Sequence, residues 1–259
     1  MVKYAVVTGA STGLGRCIAL ELAGRKINTI LAALPGEGLP EVCKACRDAG
    51  TLSEYFELDL ADKEALKNFA CKVNEKYEVN ILVNNAGLGG SKRFGDVSFD
   101  YVNTIIQVNV AATSLLTHEL LPNLKRNAGS YVLNISSMAG LIPTGYKTVY
   151  PASKAFIKHF SLGMREELKP DRISVSFAVL GPMPTKQEII SRINRQGFLG
   201  KALSVTPEKV AQVCIRQLFR KRRVIVPGFL NALSFHLVKL VPEYLRGILM
   251  SRSVKNHEL

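Results

Sequence analysis

Short apolar runs alternate along the chain with stretches whose apolar residues recur at helical spacing. The strand-like runs are Val2–Val7, Asn28–Leu34, Glu54–Leu60, the run from Val79, Ser130–Ile135, Ile173–Leu180 and Arg223–Gly228. Between them, helical patterns begin at Arg16 and cover Glu41–Ala49, Lys63–Tyr77, Phe99–Lys125, Tyr150–Leu168 and a segment opened by Thr206-Pro-Glu and ending near Arg220. Seven strands alternating with helices predict an α/β chain, a doubly wound parallel sheet between two helical layers. Residues 1–228 read as the catalytic domain. Within it, the mixed stretch from Lys186 to Ser204 around Gly197 and Gly200 predicts a lid loop over a substrate (about 182–205). Residues 229–259 read as an amphipathic helical extension of the same domain: two short helices broken by Pro242, with Leu230, Leu233, Leu237, Leu240 and Val241 on one stripe, then Tyr244, Leu245, Ile248 and Leu249.

Composition narrows the class. A hydrophobic share of 47% with 21% charged residues belongs to an ordinary globular protein. No apolar run reaches the length needed to span a bilayer, and the strand starting at Lys3 leaves no space for a signal peptide. The five cysteines are odd in number and scattered; Cys43 and Cys46 form the one close pair, without a second pair to complete a zinc site, so no metal is expected and the thiols read as reduced and cytoplasmic. The net charge of +13 is uneven, with nine Lys/Arg against two Glu from Arg216 onward. That excess lacks the aromatic-interleaved basic stripe of a nucleic-acid reader, so no nucleic-acid partner is expected.

Two stretches carry chemistry. Thr8-Gly9-Ala10-Ser11-Thr12-Gly13-Leu14-Gly15 follows a strand and opens a helix, the context in which glycines allow a tight turn and bring backbone N–H groups against a pyrophosphate. Tyr150-Pro-Ala-Ser-Lys154 places a phenol and an ammonium four residues apart, on one face of a helix that Pro151 could start. A neighbouring cation and a helix N-terminus both favour a phenolate, as a general acid/base near neutral pH requires. By itself the pair is a weak signal, equally at home on a solvated face.

The glycine spacing G-x-x-x-G-x-G, the turn Asn84-Asn85-Ala86-Gly87 after the fourth strand, Asn109 in the long helix, Ser137 thirteen residues before Tyr150, and Lys154 occur in an order that resembles the classical branch of the short-chain dehydrogenase/reductase family. The resemblance implies a Rossmann-type sheet and reversible hydride transfer between a nicotinamide and a carbonyl or secondary alcohol. It implies that Tyr150 exchanges the proton, Lys154 lowers the tyrosine pKa and holds the cofactor ribose, Ser137 positions the carbonyl, and Asn109 bends its helix and holds a relay water. Cofactor contacts implied are Thr8, Gly9, Ser11, Thr12, Gly13, Leu14, Gly15, Asp59, Leu60, Asn85, Ala86, Gly87, Tyr150, Lys154 and Thr185. Asp59 would meet the adenine amino group or cap the helix after it, and Thr185, in the departing exit motif Leu180-Gly181-Pro182-Met183-Pro184-Thr185, would meet the carboxamide. The second strand ends in Ala33-Leu34-Pro35-Gly36, without the carboxylate that would hold a ribose 2′-hydroxyl and repel a 2′-phosphate. NADP(H) is therefore favoured over NAD(H), with Arg16 the nearest fixed cation. The expected partner is a small-molecule carbonyl or alcohol, lipid-like or a 3-oxoacyl thioester, and relatives form homodimers or homotetramers through the long helix and the helix at Tyr150. The alternative, a non-catalytic nucleotide-binding scaffold, is disfavoured because Ser137, Tyr150 and Lys154 are all present. Two readings of the basic tail stay open: a peripheral membrane contact, or an element closing the pocket or joining subunits.

Overall fold

The apolar runs become strands β1 (Lys3–Thr8), β2 (Asn28–Ala33), β3 (Ser53–Glu57), β4 (Glu78–Asn84), β5 (Tyr131–Ser137), β6 (Ser174–Leu180) and β7 (Val224–Ile225). All pair in parallel in one sheet ordered β3-β2-β1-β4-β5-β6-β7. This computed structural model describes residues 2–257 except Lys186 and Gln196. The helices are α1 (Gly13–Gly24), α2 (Leu39–Asp48), α3 (Lys63–Lys76), α4 (Phe99–Ile106), α5 (Ala112–Arg126), α6 (Val149–Glu167), α7 (Gln187–Arg195), α8 (Gly197–Leu203), α9 (Pro207–Phe219), α10 (Phe229–Leu237) and α11 (Glu243–His257).

The chain turns from β1 to β2 and β3 in one direction and resumes from β4 to β7 in the other, which opens a crevice beyond the ends of β1 and β4. Alternate strand residues serve opposite layers. Val7, Leu31, Val83 and Leu133 pack with Ile18 and Leu22 of α1, Val42 of α2 and Ile215 of α9. Val6, Ile30, Leu82 and Val132 pack with Leu66 and Phe69 of α3 and Leu116, Leu120 and Leu124 of α5. Burial on both faces is why the strands read as continuous apolar runs rather than alternating ones. One polar chain crosses this core: the Asn84 amide donates to Thr117 Oγ1 (2.9 Å) and Asn134 Oδ1 (2.8 Å), and the Asn134 amide donates to Ser161 Oγ (2.9 Å). It ties α5, β4, β5 and α6 together at fixed register.

Several boundaries differ from the sequence expectation. The single helix expected over Phe99–Lys125 is interrupted by a π-helical turn at Gln107–Ala111, because Asn109 turns its amide inward. β3 stops at Glu57, so Asp59 and Leu60 lie beyond the strand. The cap of α3 is Asp62, whose carboxylate accepts from Glu64 and Ala65 N–H; Asp59 only closes a local turn onto Ala61 N. The helix expected over Tyr150–Leu168 runs from Val149 to Glu167, and Pro151 costs little in it because first-turn N–H groups have no helical acceptor. The expected lid loop contains α7 and α8, although Lys186 and Gln196 within it lie outside the described residues. β7 keeps only Val224 and Ile225 of the run expected there.

The tail is clasped onto the sheet. Phe235 of α10 packs on Phe177 and Val179 of β6. Asn231 donates to the carbonyls of Leu203 and Pro227, both at 3.0 Å. On α11, Arg246 Nη1 donates to the Leu141 carbonyl (2.8 Å), and Ser251 Oγ accepts from Gly145 N (2.7 Å).

Candidate active site

The crevice between β1 and β4 is built by mutual locking of two turns. Thr8 Oγ1 accepts from Asn85 N (3.0 Å) and Ala86 N (3.1 Å), while the Asn85 amide donates to the carbonyls of Thr8 (2.9 Å) and Gly9 (3.1 Å). Two glycines permit that approach. Gly9 has φ of 62° and a Cβ there would fall 2.9 Å from Ala86 Cα; a Cβ at Gly15 would overlap the Gly9 carbonyl. A Cβ on Gly13, also at positive φ, would lie 3.5 Å from Thr185 Cγ2, so the exit of β6 faces the turn. Gly13, Leu14 and Gly15 form the first turn of α1, and Thr12 before them makes no side-chain cap, in contrast to Asp62, Ser98 and Thr206 at α3, α4 and α9. An uncapped helix start at the switch point of a doubly wound sheet fits the pyrophosphate of a dinucleotide.

Lys154 stands at the next strand end. It is buried, 5% exposed, and its ammonium donates to the Ile135 carbonyl at 3.0 Å. Burial lowers its pKa to about 8. Nζ lies 5.9 Å from the centre of the Tyr150 ring, on the same face of α6. A Cβ on Gly87 would meet Lys154 Nζ at 3.1 Å and Asn109 Oδ1 at 3.3 Å, so the three border one small space; a Cβ on Gly89 would touch the Tyr150 ring at 3.1 Å. Asn109 is tied from both ends: Oδ1 accepts from Leu88 N (2.8 Å), and its amide donates to the Leu88 carbonyl (2.8 Å) and Ser153 Oγ (2.9 Å). Ser153 Oγ in turn donates to the Tyr150 carbonyl (2.7 Å).

The two serines ending β5 have different surroundings. Ser136 is buried and donates to the Lys154 carbonyl (2.8 Å), whereas Ser137 is half-buried, faces the Leu180 carbonyl at 3.5 Å and accepts from Ala139 N at 3.2 Å. The structure thus gathers Ser137, Asn109, Tyr150 and Lys154 at the ends of β4 and β5, with the glycine turn, Asn85, Ala86 and Gly87 beside them. Leu14 and Leu60 are buried, and Asp59 is exposed beyond β3. Arg16 is exposed on α1, and its charge reaches Glu208 and Cys17 at the α9 side.

Sequence reasoning missed three features. Ser153 couples Asn109 to the Tyr150 backbone, and its place inside the Tyr150–Lys154 motif was the available signal. Glu37, in the loop after β2, accepts from Ser11 Oγ at 3.0 Å and so puts a carboxylate on the glycine turn. A cleft of about 690 Å³ lies between residues 143–148 and α11, lined by Tyr146, Thr148, Tyr244, Ile248, Arg252 and Lys255. Thr148 also lines a small cavity containing Tyr101 and Tyr150. Tyr146 holds φ of 62°, with its carbonyl accepting from Lys92 N at 2.7 Å. The reading of the tail as an element closing a pocket pointed towards that cleft, but not to the segment it meets, about a hundred residues away. Among the described residues, no cluster of three or more metal-ligating side chains occurs.

Residues 3–195 match the family described as short chain dehydrogenase. The very-long-chain 3-oxoacyl-CoA reductase of Anas platyrhynchos is 34% identical over 195 residues, 73% of this chain and 62% of that protein, so the match spans less than two thirds of that relative. An uncharacterised oxidoreductase of Staphylococcus saprophyticus is 31% identical over 226 residues, 86% of this chain and 94% of that protein. The crystal structure of a metagenomic short-chain oxidoreductase in complex with NADP superposes with a TM-score of 0.73 at 26% identity, covering 88% of this chain and 98% of that one.

Proposed function

The chain belongs to the short-chain dehydrogenase family, and from that premise we propose that this oxidoreductase reduces the oxo group of a lipid-like substrate, a 3-oxoacyl thioester or comparable ketone, with NADP(H) favoured over NAD(H). The observation that carries the reading is the buried Lys154 ammonium, held by the Ile135 carbonyl beside the Tyr150 ring and one strand away from the uncapped start of α1. A nicotinamide held in this crevice would supply the hydride for the carbonyl carbon. Tyr150 gives its phenolic proton to the carbonyl oxygen, and the Lys154 charge stabilises the phenolate that remains. Ser137 donates to the same oxygen and fixes its direction. Asn109, through Leu88 and Ser153, holds the loop and the tyrosine backbone so that these groups stay in register.

Thr8, Gly9, Ser11, Thr12, Gly13, Leu14 and Gly15 would hold the pyrophosphate and adjoining ribose; Asp59 and Leu60 the adenine; Asn85, Ala86, Gly87, Tyr150, Lys154 and Thr185 the nicotinamide half. The NADP(H) preference is supported by the missing carboxylate at the end of β2 and by the NADP-bound relative. A lipid-like substrate is supported by the cleft that the tail completes and by the 3-oxoacyl-CoA reductase likeness. We further propose that residues 1–228 and 229–259 work as one unit, and that exposed Leu115 on α5 and Phe156 on α6 pair subunits into a dimer or tetramer.

The test is oxidation of NADPH and NADH against 3-oxoacyl thioesters of increasing chain length, steroid-sized ketones and small diketones. Faster turnover of long thioesters or bulky ketones with NADPH is expected. Turnover confined to small diketones would overturn the substrate reading, and inactivity of the wild-type chain on every ketone, with cofactor bound, would overturn the catalytic one.

A further inference from the structure

Large apolar side chains are exposed very unevenly. Among the described residues, Phe229, Leu230, Leu233, Leu237, Leu240, Val241, Tyr244, Leu245, Ile248, Leu249 and Met250 are all exposed, eleven against ten on the entire remainder of the surface. The extremes are Phe229 at 83%, Leu240 at 79% and Tyr244 at 67% exposed. Their arrangement is ordered. On α10, Asn231 bonded to the Leu203 and Pro227 carbonyls and Phe235 packed on β6 fix the inner face, which turns Phe229, Leu230, Leu233 and Leu237 onto the outer arc. On α11, buried Val254 and the anchors Arg246 and Ser251 fix the inner face, leaving Tyr244, Leu245, Ile248 and Leu249 outside. Large apolar side chains left exposed at this density along two successive helices mark an interaction site.

Charge identifies the occupant. Arg252 and Lys255 follow Tyr244 and Ile248 on one face of α11 and are exposed, while Lys239, between the two helices, lies 3.7 Å over the Phe235 ring with Lys158 of α6 nearby. From 229 to 257 the only acidic residue is Glu243. A two-fold contact between copies of this chain would gather Lys239, Arg252 and Lys255 from both copies, with a single carboxylate from each, Glu243, to answer them. An anionic lipid surface answers them all, and long cationic side chains at the edge of an apolar face suit the headgroup level. No described helix is long and apolar enough to cross a membrane, so the pair would lie in the interface plane.

We propose that the outer face of α10 and α11 seats the protein on an anionic membrane. Phe229, Leu233, Leu237, Leu240, Tyr244 and Leu249 enter the acyl boundary, and Lys239, Arg252 and Lys255 lie among the headgroups. The cleft lined by Tyr244, Ile248, Arg252 and Lys255 then opens at the bilayer, where a lipid-like substrate would enter; that last step rests on the proposed function, whereas the seating does not.

Flotation of the full chain with vesicles of phosphatidylcholine alone, or mixed with phosphatidylglycerol, reads the seating without any turnover. Binding to the mixed vesicles, weak binding to the neutral ones and release by salt are expected. Combined Leu233→Glu, Leu237→Glu and Leu249→Glu should lower the bound fraction at least about tenfold, and Arg252→Glu with Lys255→Glu should remove the anionic preference. These positions are exposed, and a melting curve reports whether each variant is folded; the wild-type result decides by itself if one is not. A wild-type chain that does not float with anionic vesicles overturns the proposal. So does one that forms a dimer which the leucine variants dissociate. Ketone reduction assayed in parallel keeps a failure of seating distinct from a failure of the catalytic reading.

Discussion

The strand ends around Lys154 and the surface of α10 and α11 invert each other's economy. At the first, polar groups are drawn inward and each is answered: Thr8 by Asn85, Asn109 by Leu88 and Ser153, Ser136 by Lys154, and Lys154 by Ile135. At the second, apolar side chains are turned outward and left largely uncovered by the described residues. An inward polar group demands a partner of one geometry, so the residues that can stand there are few. An outward apolar face demands only something hydrophobic to cover it. The first region therefore specifies a reaction, and the second specifies a kind of surroundings.

The largest expected effect tests whether the first region is built for proton transfer or only for packing. Tyr150→Phe keeps the ring that Gly89 touches and removes one hydroxyl. Turnover should fall by roughly 10³-fold, with NADPH binding, followed by fluorescence, kept within a few-fold. Retained turnover would make the inward polar cluster a structural device.

Lys154→Met separates function from stability at the same position. The folded pKa of about 8 lies below the ordinary lysine value of 10.5, because burial disfavours the charged form. At pH below 8 the lysine is protonated both folded and unfolded, and the full burial cost, about 3 kcal/mol at 1.36 kcal/mol per unit, is present. Between pH 8 and 10.5 the unfolded chain binds more protons than the folded one, so stability rises with pH across that window. Methionine escapes the cost but leaves the Ile135 carbonyl without its donor, so a net gain of about 1–2 kcal/mol at pH 7 is expected. Chemical denaturation at pH 7 and pH 10 reads it: the variant should be the more stable form at pH 7, the gap should close by pH 10, and turnover should be lost throughout. A loss of stability at pH 7 would mean the ammonium holds the fold together.

Asn84→Ala tests the polar chain across the sheet. It removes the donors to Thr117 and Asn134 and leaves both acceptors buried, a destabilisation of about 2 kcal/mol. A cost near zero would mean that register is fixed by apolar packing alone.

What the sequence made legible follows the same division. Motif spacing located the glycine turn, the asparagine turn and the Tyr150–Lys154 pair because each obeys a local rule: a positive φ, a strand end, a helical repeat of four. Ser153 lay inside a quoted motif, yet its bond to Asn109 joins residues 44 apart, which no periodicity encodes. The resemblance implies a bend at Asn109, but its form, a π-helical turn, is a tertiary demand imposed on a helical pattern. The helices α7 and α8 read as a loop because apolar and charged residues mix there around Gly197 and Gly200, although Ile189, Ile190 and Ile193 of α7 do recur at helical spacing. The tail's leucine stripe was legible as a stripe, but only the fold showed that its other side is the one held down by Asn231 and Phe235.

Glu37 is the residue of the strand-end region that sequence reasoning did not weigh, and it gives the smallest and most diagnostic test. The expectation of NADP(H) came from the end of β2, where Ala33 and Leu34 offer no carboxylate. The chain returns one all the same: Gly36 is held by Glu57 at 3.1 Å, and the Glu37 carboxylate reaches Ser11 on the glycine turn at 3.0 Å. A carboxylate there repels a 2′-phosphate, though exposure and salt limit the effect to about 0.5–1 kcal/mol. Glu37→Gln keeps an acceptor for Ser11 and removes the charge. If Glu37 is only a bystander to a phosphate site, the variant should bind NADPH about two- to fivefold more tightly, with NADH unchanged. If instead Glu37 holds a ribose hydroxyl, NADH binding should weaken while NADPH changes little, and the cofactor preference proposed for this chain would be reversed. Titration of both cofactors against both proteins at two salt concentrations separates the outcomes, because only the repulsive effect shrinks as salt rises.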